Sequence, residues 1–300
     1  MRFELTPEQE DFAASLDKLL AGADTPSVTR AWSEGNPAPG LDLWQRLVDL
    51  GVSTLLVPDS EGGLGATPVE LAVAFEALGR HAVPGPLVES VAFLPSADSP
   101  LVTLAAPPHT PYALDADVAE ATYLLEEDGL REATAGEMVR SVDPSRRLFT
   151  VTAGDPAGID VADDAFDLAA LATSAQLLGC GERLLADTVG YARQRRQFGR
   201  EIGSYQALKH ALADVRIALD FARPLVFGAA VAGPARRDVS AAKVGAGDAA
   251  YRASRVALQV HGAIGYTREH DLSLWITKVR ALVGAWGTPS FHRRRVLESL

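Results

Sequence analysis

The first segment of the chain has the apolar periodicity of an amphipathic helix. Apolar residues recur at helical spacing through Phe12, Leu16, Leu19 and Leu20, which places them on one helix face. Residues 6–9, Thr-Pro-Glu-Gln, supply an N-cap, a proline at the first helical position and a capping-box partner. We therefore predict a helix that begins just after Thr6.

Two more helices are predicted in the N-terminal third. One covers residues 41–50, and the other opens with a second capping box at Thr67 and ends near His81. The polar stretch of residues 22–40 interrupts the helical pattern, and residues 57–65 read as a glycine-rich loop.

Residues 83–163 differ from the segments on either side. Prolines crowd the first half, and short β-prone runs follow, such as residues 122–125 and 148–151. This pattern predicts a small strand-rich domain.

Helical periodicity returns from Ala165 onward. Leu171, Leu178 and Leu185 are spaced seven apart, and residues 241–253 are dominated by Ala and Gly. Small side chains let neighbouring helices approach closely, so we expect that helix at the centre of a bundle. The predicted fold class is mainly α with a small β middle domain. Its divisions are a helical domain (1–90), a reduced β domain (91–163) and a C-terminal helical bundle (164–300).

Composition and charge exclude several classes of protein. The chain is 47% apolar and 22% charged, as globular proteins are. Its net charge of −11 provides no overall attraction for nucleic acid. The single cysteine, Cys180, excludes an internal disulfide and a cysteine-based zinc cluster. No signal-peptide core or long apolar run is present, so we expect no membrane span and a cytoplasmic location.

The first candidate for chemistry is the segment 193–200, which holds four arginines. One interpretation is that they complement the dipole at the end of a long helix. The other is a phosphate clamp, because guanidinium matches phosphate oxygens in a bidentate geometry. Phe198 lies beside the arginines and would cover a ring.

The second candidate is the segment 259–271, which ends the small-residue helix in a tight, glycine-containing loop. It is either a glycine C-cap or a loop whose backbone amides bind phosphate or a ring edge. His261 is expected to be structural rather than a catalytic base.

Together the two motifs resemble those of the acyl-CoA dehydrogenase superfamily. The matched positions are Arg195, Gln197, Phe198, Gly199, Gln206, Gln259, Gly262, Gly265, Tyr266 and Glu269. The resemblance covers about residues 1–90 and 160–300. It implies FAD as cofactor, oxidation of an acyl-CoA thioester to the 2,3-enoyl-CoA, and an electron-transferring flavoprotein as acceptor.

The resemblance also implies which residues contact the cofactor. In this family the C-terminal domain of a neighbouring subunit holds the ADP part of the flavin. The residues that correspond here are Arg195, Gln197, Phe198, Gln259, Gly262 and Ala263. The family usually has a second glycine at position 263, and the alanine adds a methyl group near the cofactor.

The catalytic base that the family uses is missing from its two usual positions. Trp286 lies where most members have the glutamate, and Ala169 and Ala170 lie where other members have it. The nearby Asp164 and Asp167 are expected to be first-turn acids that the helix dipole favours. The strand and loop motifs that touch the flavin ring are also absent from the middle domain.

A chain that keeps the ADP clamp and lacks the base resembles the small subunit of heteromeric (α2β2) acyl-CoA dehydrogenases. These are known mainly from actinobacterial steroid degradation. The implied partner is a homologous full-length acyl-CoA dehydrogenase subunit that brings the glutamate.

Two alternatives stay open. In the first, the chain is a self-sufficient flavoenzyme on acyl thioesters with Glu269, Asp271, His261 or His270 as base. In the second, it is a scaffold protein that has lost FAD.

Overall fold

The computed structural model describes residues 4–299 as helices, a small sheet and again helices. The helices are Pro7–Ala21 (α1), Thr25–Ser33 (α2), Ala38–Asp49 (α3), Pro68–Arg80 (α4), Ala165–Gln194 (α5), Gln206–Val231 (α6), Arg236–His261 (α7), Leu272–Leu282 (α8) and Pro289–Leu297 (α9). The strands are Val102–Ala105 (β1), Ala113–Leu114 (β2), Ala121–Glu126 (β3), Gly129–Val139 (β4), Leu148–Pro156 (β5), Arg196–Gln197 (β6) and Arg200–Glu201 (β7).

The capping motifs form as the sequence predicts. The backbone N–H of Gln9 donates to the Thr6 hydroxyl at the start of α1, and the Gln9 side chain accepts from the Thr6 backbone. At the start of α4 the Glu70 carboxylate accepts from the Thr67 backbone. These reciprocal bonds satisfy N–H groups that have no partner within the helix.

The prediction that residues 22–40 only interrupt the helical pattern is wrong, because α2 lies within this stretch. Its buried side chains are Thr25, Val28, Thr29 and Trp32. Half of this face is threonine, so the apolar periodicity does not show in the sequence. The Thr29 hydroxyl donates to the Thr25 and Ala82 carbonyls, which satisfies it inside the core.

The middle segment forms a five-stranded sheet in the order β1-β3-β4-β5-β2. β1 pairs with β3 in parallel, and the other pairs are antiparallel. The predicted runs at residues 122–125 and 148–151 lie in β3 and β5. The π turn Glu89–Phe93 precedes the sheet and packs on both β1 and α5.

The C-terminal helices form a bundle in which α7 contacts α5, α6, α8 and α9. The small residues of α7, including Ala242, Ala246 and Ala250, are buried there. Helices α5 and α7 run parallel, because their contacts advance in the same direction along both. A Cβ on Gly181 would meet Ala250, and further along the two helices Tyr191 stacks on His261. No helix among residues 4–299 has the length and apolarity to cross a bilayer.

The N-terminal helices join this bundle where two glycines meet. A Cβ on Gly79 of α4 would overlap the backbone of Gln176, and one on Gly179 of α5 would overlap the carbonyl oxygen of Glu76. The backbones are therefore in direct contact. The Trp275 indole N–H lies 3.2 Å from the Gly79 carbonyl oxygen and 3.0 Å from that of Arg80.

This contact predicts different effects for two Gly-to-Ala substitutions in α5. Gly179→Ala forces backbone apart and should lower the free energy of unfolding by about 3 kcal/mol or more. Gly190→Ala adds a methyl with nothing within 4 Å and should raise it by ~0.5–1 kcal/mol. Urea unfolding measures both, and equal responses would contradict the contact.

Candidate cofactor-binding surface and buried chamber

The first candidate motif forms a β-hairpin that projects from the end of α5. β6 and β7 pair through Arg196–Glu201 and Gln197–Arg200. Phe198 and Gly199 form the two-residue turn, with φ values of +52° and +80°. Two positive φ values in succession are typical of a type I′ turn, whose twist matches the strands. The Phe198 ring is 89% exposed at the tip.

The structure separates the arginines by position. Arg193 lies in the last turn of α5 and Arg195 is its C-cap residue, where a cation complements the helix dipole, whereas Arg196 and Arg200 lie on the two hairpin strands. Arg200 stacks over the Tyr205 ring, 4.0 Å from its centroid. Among residues 4–299 no carboxylate lies within salt-bridge distance of Arg195, whose side chain is exposed.

The second candidate motif is the end of α7 and the 3-10 turn Gly262–Tyr266 that follows it. Gly262 has φ +63° and caps α7, and its N–H donates to the Leu258 carbonyl. This amide is therefore not available to a ligand, which fits the interpretation of Gly262 as a glycine C-cap. A Cβ at Gly262 would meet nothing, and the side chains of Gln259 and Ala263 are exposed beside it.

The fold brings the two motifs to one end of the bundle, because α5 and α7 are parallel and end together. The rings of Tyr191 and His261 stack with their centroids 4.2 Å apart, four residues before Arg195 and one before Gly262. His261 is buried and its Nδ1–H donates to the Ala257 carbonyl at 2.8 Å. Burial lowers its pKa, as expected for a structural histidine.

Electrostatics explain why arginines are needed on this surface. The ends of α5 and α7 are helix C-termini, whose partial negative charge repels a phosphate. The Arg195 guanidinium and the exposed Gln197 and Gln259 amides offset that charge with hydrogen-bond donors. An exposed cation, two amides, an aromatic ring and an open glycine are groups whose chemistry fits the ADP part of FAD.

Arg30 fastens the loop that follows the 3-10 turn. Its guanidinium donates to the carbonyls of Arg268 and Glu269 and lies 2.6 Å from the Asp271 carboxylate. Asp271 is thus held in an ion pair. His270 is engaged as well, because its Nδ1 accepts from the Leu272 backbone.

The positions that the resemblance aligns with the family's base are buried. Trp286 is 1% exposed, and Ala169 and Ala170 are 0% exposed. The Trp286 ring stacks on Phe93 at 5.0 Å and meets the edge of Phe166 at 5.8 Å. Aromatic and methyl groups therefore fill both positions.

The nearby acids have structural partners or face solvent. Asp167 forms a bidentate pair with Arg295 at 2.6 and 2.9 Å. The pair is nearly buried, so Asp167 is more than a charge favoured by the helix dipole. Asp164 precedes α5 and is exposed, without a side-chain capping bond.

A buried histidine holds the backbone of Trp286. Trp286 has φ +53°, a value that non-glycine residues rarely adopt. Its carbonyl accepts from His292 Nε2 at 2.8 Å, and His292 Nδ1 lies 3.1 Å from the Ser240 hydroxyl. Burial first, and then the Lys243 and Arg295 cations, lower the pKa of His292 to about 4.

Glu89 is a charged residue that the sequence analysis did not single out. It lies in the π turn, is 1% exposed, and lines a chamber of about 300 Å³. Burial raises the pKa of its carboxyl, and Arg146 opposes the shift. The available signal was one acid within the apolar run of residues 87–94.

Comparison with known proteins defines the class of this fold and site. The sequence matches the family descriptions "Acyl-CoA dehydrogenase, N-terminal domain" over residues 6–98 and "Acyl-CoA dehydrogenase, C-terminal domain" over residues 156–300. The chain belongs to the acyl-CoA dehydrogenase family of oxidoreductases, and FAD is the cofactor of that class. It is 30% identical to acyl-CoA dehydrogenase IpdE2 of Mycobacterium tuberculosis, with 97% and 98% of the two chains covered.

Solved structures show the same fold. Butyryl-CoA dehydrogenase from Megasphaera elsdenii superposes with a TM-score of 0.86 at 20% identity, covering 100% of this chain and 99% of that one. The ChsE4-ChsE5 complex from M. tuberculosis gives 0.82 at 23% identity, covering 100% and 98%. These matches confirm the predicted fold class.

The buried His292 predicts acid sensitivity. Because its folded-state pKa is about 4, below the unfolded value of about 6.5, the unfolded chain takes up the proton first as the pH falls. The contribution of neutral His292 to the free energy of unfolding is therefore fully present above about pH 6.5. As the pH falls to 4, the free energy of unfolding decreases by roughly 3 kcal/mol.

Urea unfolding of wild type and His292→Gln across this pH range measures the effect. The variant should lose most of that pH dependence. His210→Gln, at an exposed position in α6, is the matched control and should keep it. An unchanged slope in His292→Gln would contradict the assignment.

Proposed function

We propose that this chain is the subunit of a heteromeric FAD-dependent acyl-CoA dehydrogenase that completes the flavin site of a homologous partner. The observation that carries the proposal is a contrast between two parts of the chain. The donors on the α5 and α7 ends face solvent without side-chain partners in the described part of the chain, whereas the aligned base positions are filled by Trp286, Ala169 and Ala170.

Each exposed residue has a defined task in this arrangement. Arg195 binds the pyrophosphate, the Gln197 and Gln259 amides donate hydrogen bonds, and the Phe198 ring covers the cofactor. Gly262, which has no side chain, lets the cofactor approach the backbone closely. The methyl group of Ala263 reduces the space beside it. When bound, FAD would supply the hydride acceptor for oxidation at the acyl β-carbon. The partner's glutamate takes the α-proton, so this chain moves no proton.

An unpartnered apolar stripe on α6 supports a partner subunit. Ile217, Phe221 and Leu225 follow one another at four-residue spacing and are 53%, 73% and 43% exposed. Apolar stripes of this kind mark protein–protein interfaces. Tyr251 of the neighbouring α7 is 41% exposed as well. We assign this face to contact between subunits of an α2β2 assembly.

The names of similar proteins favour a heteromeric assembly and a steroid-derived acyl group. One fold neighbour is a complex of ChsE4 with ChsE5, and another is described as the Tcur3481-Tcur3483 steroid ACAD. We extend both features to this chain as part of the proposal. The acceptor is proposed to be an electron-transferring flavoprotein, on the family resemblance.

Flavin content tests the proposal. The chain purified alone should carry no flavin, and copurified with a homologous full-length subunit it should give about one FAD per heterodimer. Absorbance and native mass measure both. Stoichiometric flavin with dehydrogenase turnover from the isolated chain would sink the proposal.

A substitution locates the cofactor contact. In the complex, Arg195→Ala should weaken FAD binding by about tenfold or more, because it removes a charge-assisted hydrogen bond. Arg237→Ala is the matched control, since Arg237 is exposed on α7 and pairs with Asp238. Equal FAD affinity in the two variants would contradict the role of Arg195.

A further inference from the structure

The chamber that Glu89 lines adjoins a larger groove. The chamber holds about 300 Å³ and the groove about 1000 Å³, and residues 140–142 and Arg146 line both. Glu89 is the most buried charged residue of the chamber, whereas Arg140 is exposed at the junction. The space thus runs from a surface groove with arginines to a buried carboxyl.

The Glu89 carboxyl has an unused hydrogen-bonding atom. Its Oε2 is buried and has no hydrogen-bond partner among residues 4–299. The Trp286 side chain, through a hydrogen bond, and the Arg146 cation both act on the carboxyl and oppose the rise of its pKa. Oε2 is the atom left over, and a buried polar atom without a partner destabilises a protein, so a ligand hydroxyl that hydrogen-bonds Oε2 would offset that cost.

The arginines at the junction also have unused donors. Within the described residues, Arg140 and Arg146 form no salt bridge and donate no side-chain hydrogen bond, whereas Arg147 pairs with Asp115 and Asp117. In a chain with a net charge of −11, two unpaired guanidinium groups at one opening select an anionic group.

We propose that the chamber binds a small ligand with a hydroxyl at its inner end and a negative charge at its outer end. This chemistry is that of a hydroxy acid or of its CoA thioester. The hydroxyl donates to Glu89, and Arg140 and Arg146 bind the anionic end. The apolar walls, such as Leu114 and Ala285, enclose an uncharged body between them.

Matched probes test the chamber by calorimetric titration of the full chain, alone and in complex with its partner. The probes are para-hydroxybenzoate against benzoate, and para-hydroxybenzoyl-CoA against benzoyl-CoA. Each hydroxylated probe should bind about tenfold more tightly than its counterpart, the effect of one hydrogen bond to an acid. If a thioester binds more tightly than its free acid, the ligand is a CoA thioester. If the thioester and the free acid bind equally tightly, the ligand is the free acid.

Variants assign the two ends of the ligand. Glu89→Leu should remove the preference for the hydroxyl, and Glu89→Gln should retain part of it, because the amide oxygen still accepts. Arg146→Ala should weaken both members of each pair about tenfold and leave their ratio unchanged. Glu137→Gln on β4 and Arg237→Ala on α7 are controls away from the chamber and should change neither quantity.

Three results would overturn the inference: no binding of any probe, equal binding of each pair, or a hydroxyl preference that survives Glu89→Leu. Loss of folding does not confuse the test, because Glu89→Gln keeps the shape of the side chain and thermal unfolding of each variant is measured beside its binding. The inference goes beyond the proposed function. If flavin assembles in the complex while the probes fail to bind, only the chamber ligand is refuted.

Discussion

Direct backbone contact between α4 and α5 is the constraint on which the rest of the structure depends. Gly79 and Gly179 have no side chains, so two helices that are distant in sequence touch through their main chains. The Trp275 indole and the Cys180 thiol both donate to the Gly79 carbonyl. Burial raises the pKa of Cys180 to about 12, so this thiol acts as a packing group.

That contact positions the functional regions on either side of it. The chain leaving α4 forms the π turn that packs on α5, and this places Glu89 and Phe93 against Trp286. In the other direction α5 continues to the hairpin, where Phe198 is fully outside the core. One long helix therefore joins a closed interior at its start to an exposed hairpin at its end.

Charge is distributed according to these two environments. The chain is acidic overall, yet arginines without a salt bridge lie at the hairpin and beside the chamber. Other arginines are neutralised, as Arg216 is by Glu182 and Arg295 is by Asp167. A guanidinium left unpaired in an acidic protein retains its attraction for anionic ligands, which makes both places suited to phosphate or carboxylate.

The sequence by itself determined the capped helices, the strand-rich middle and the two candidate motifs, because capping boxes, turn glycines and apolar periods act over a few residues. It did not reveal α2, whose buried face is half threonine, nor the chamber around Glu89. Only tertiary structure decided that the hairpin and Gly262 share one end of the bundle and that Trp286 is enclosed. Those facts depend on contacts between residues far apart in the chain, which no local pattern encodes.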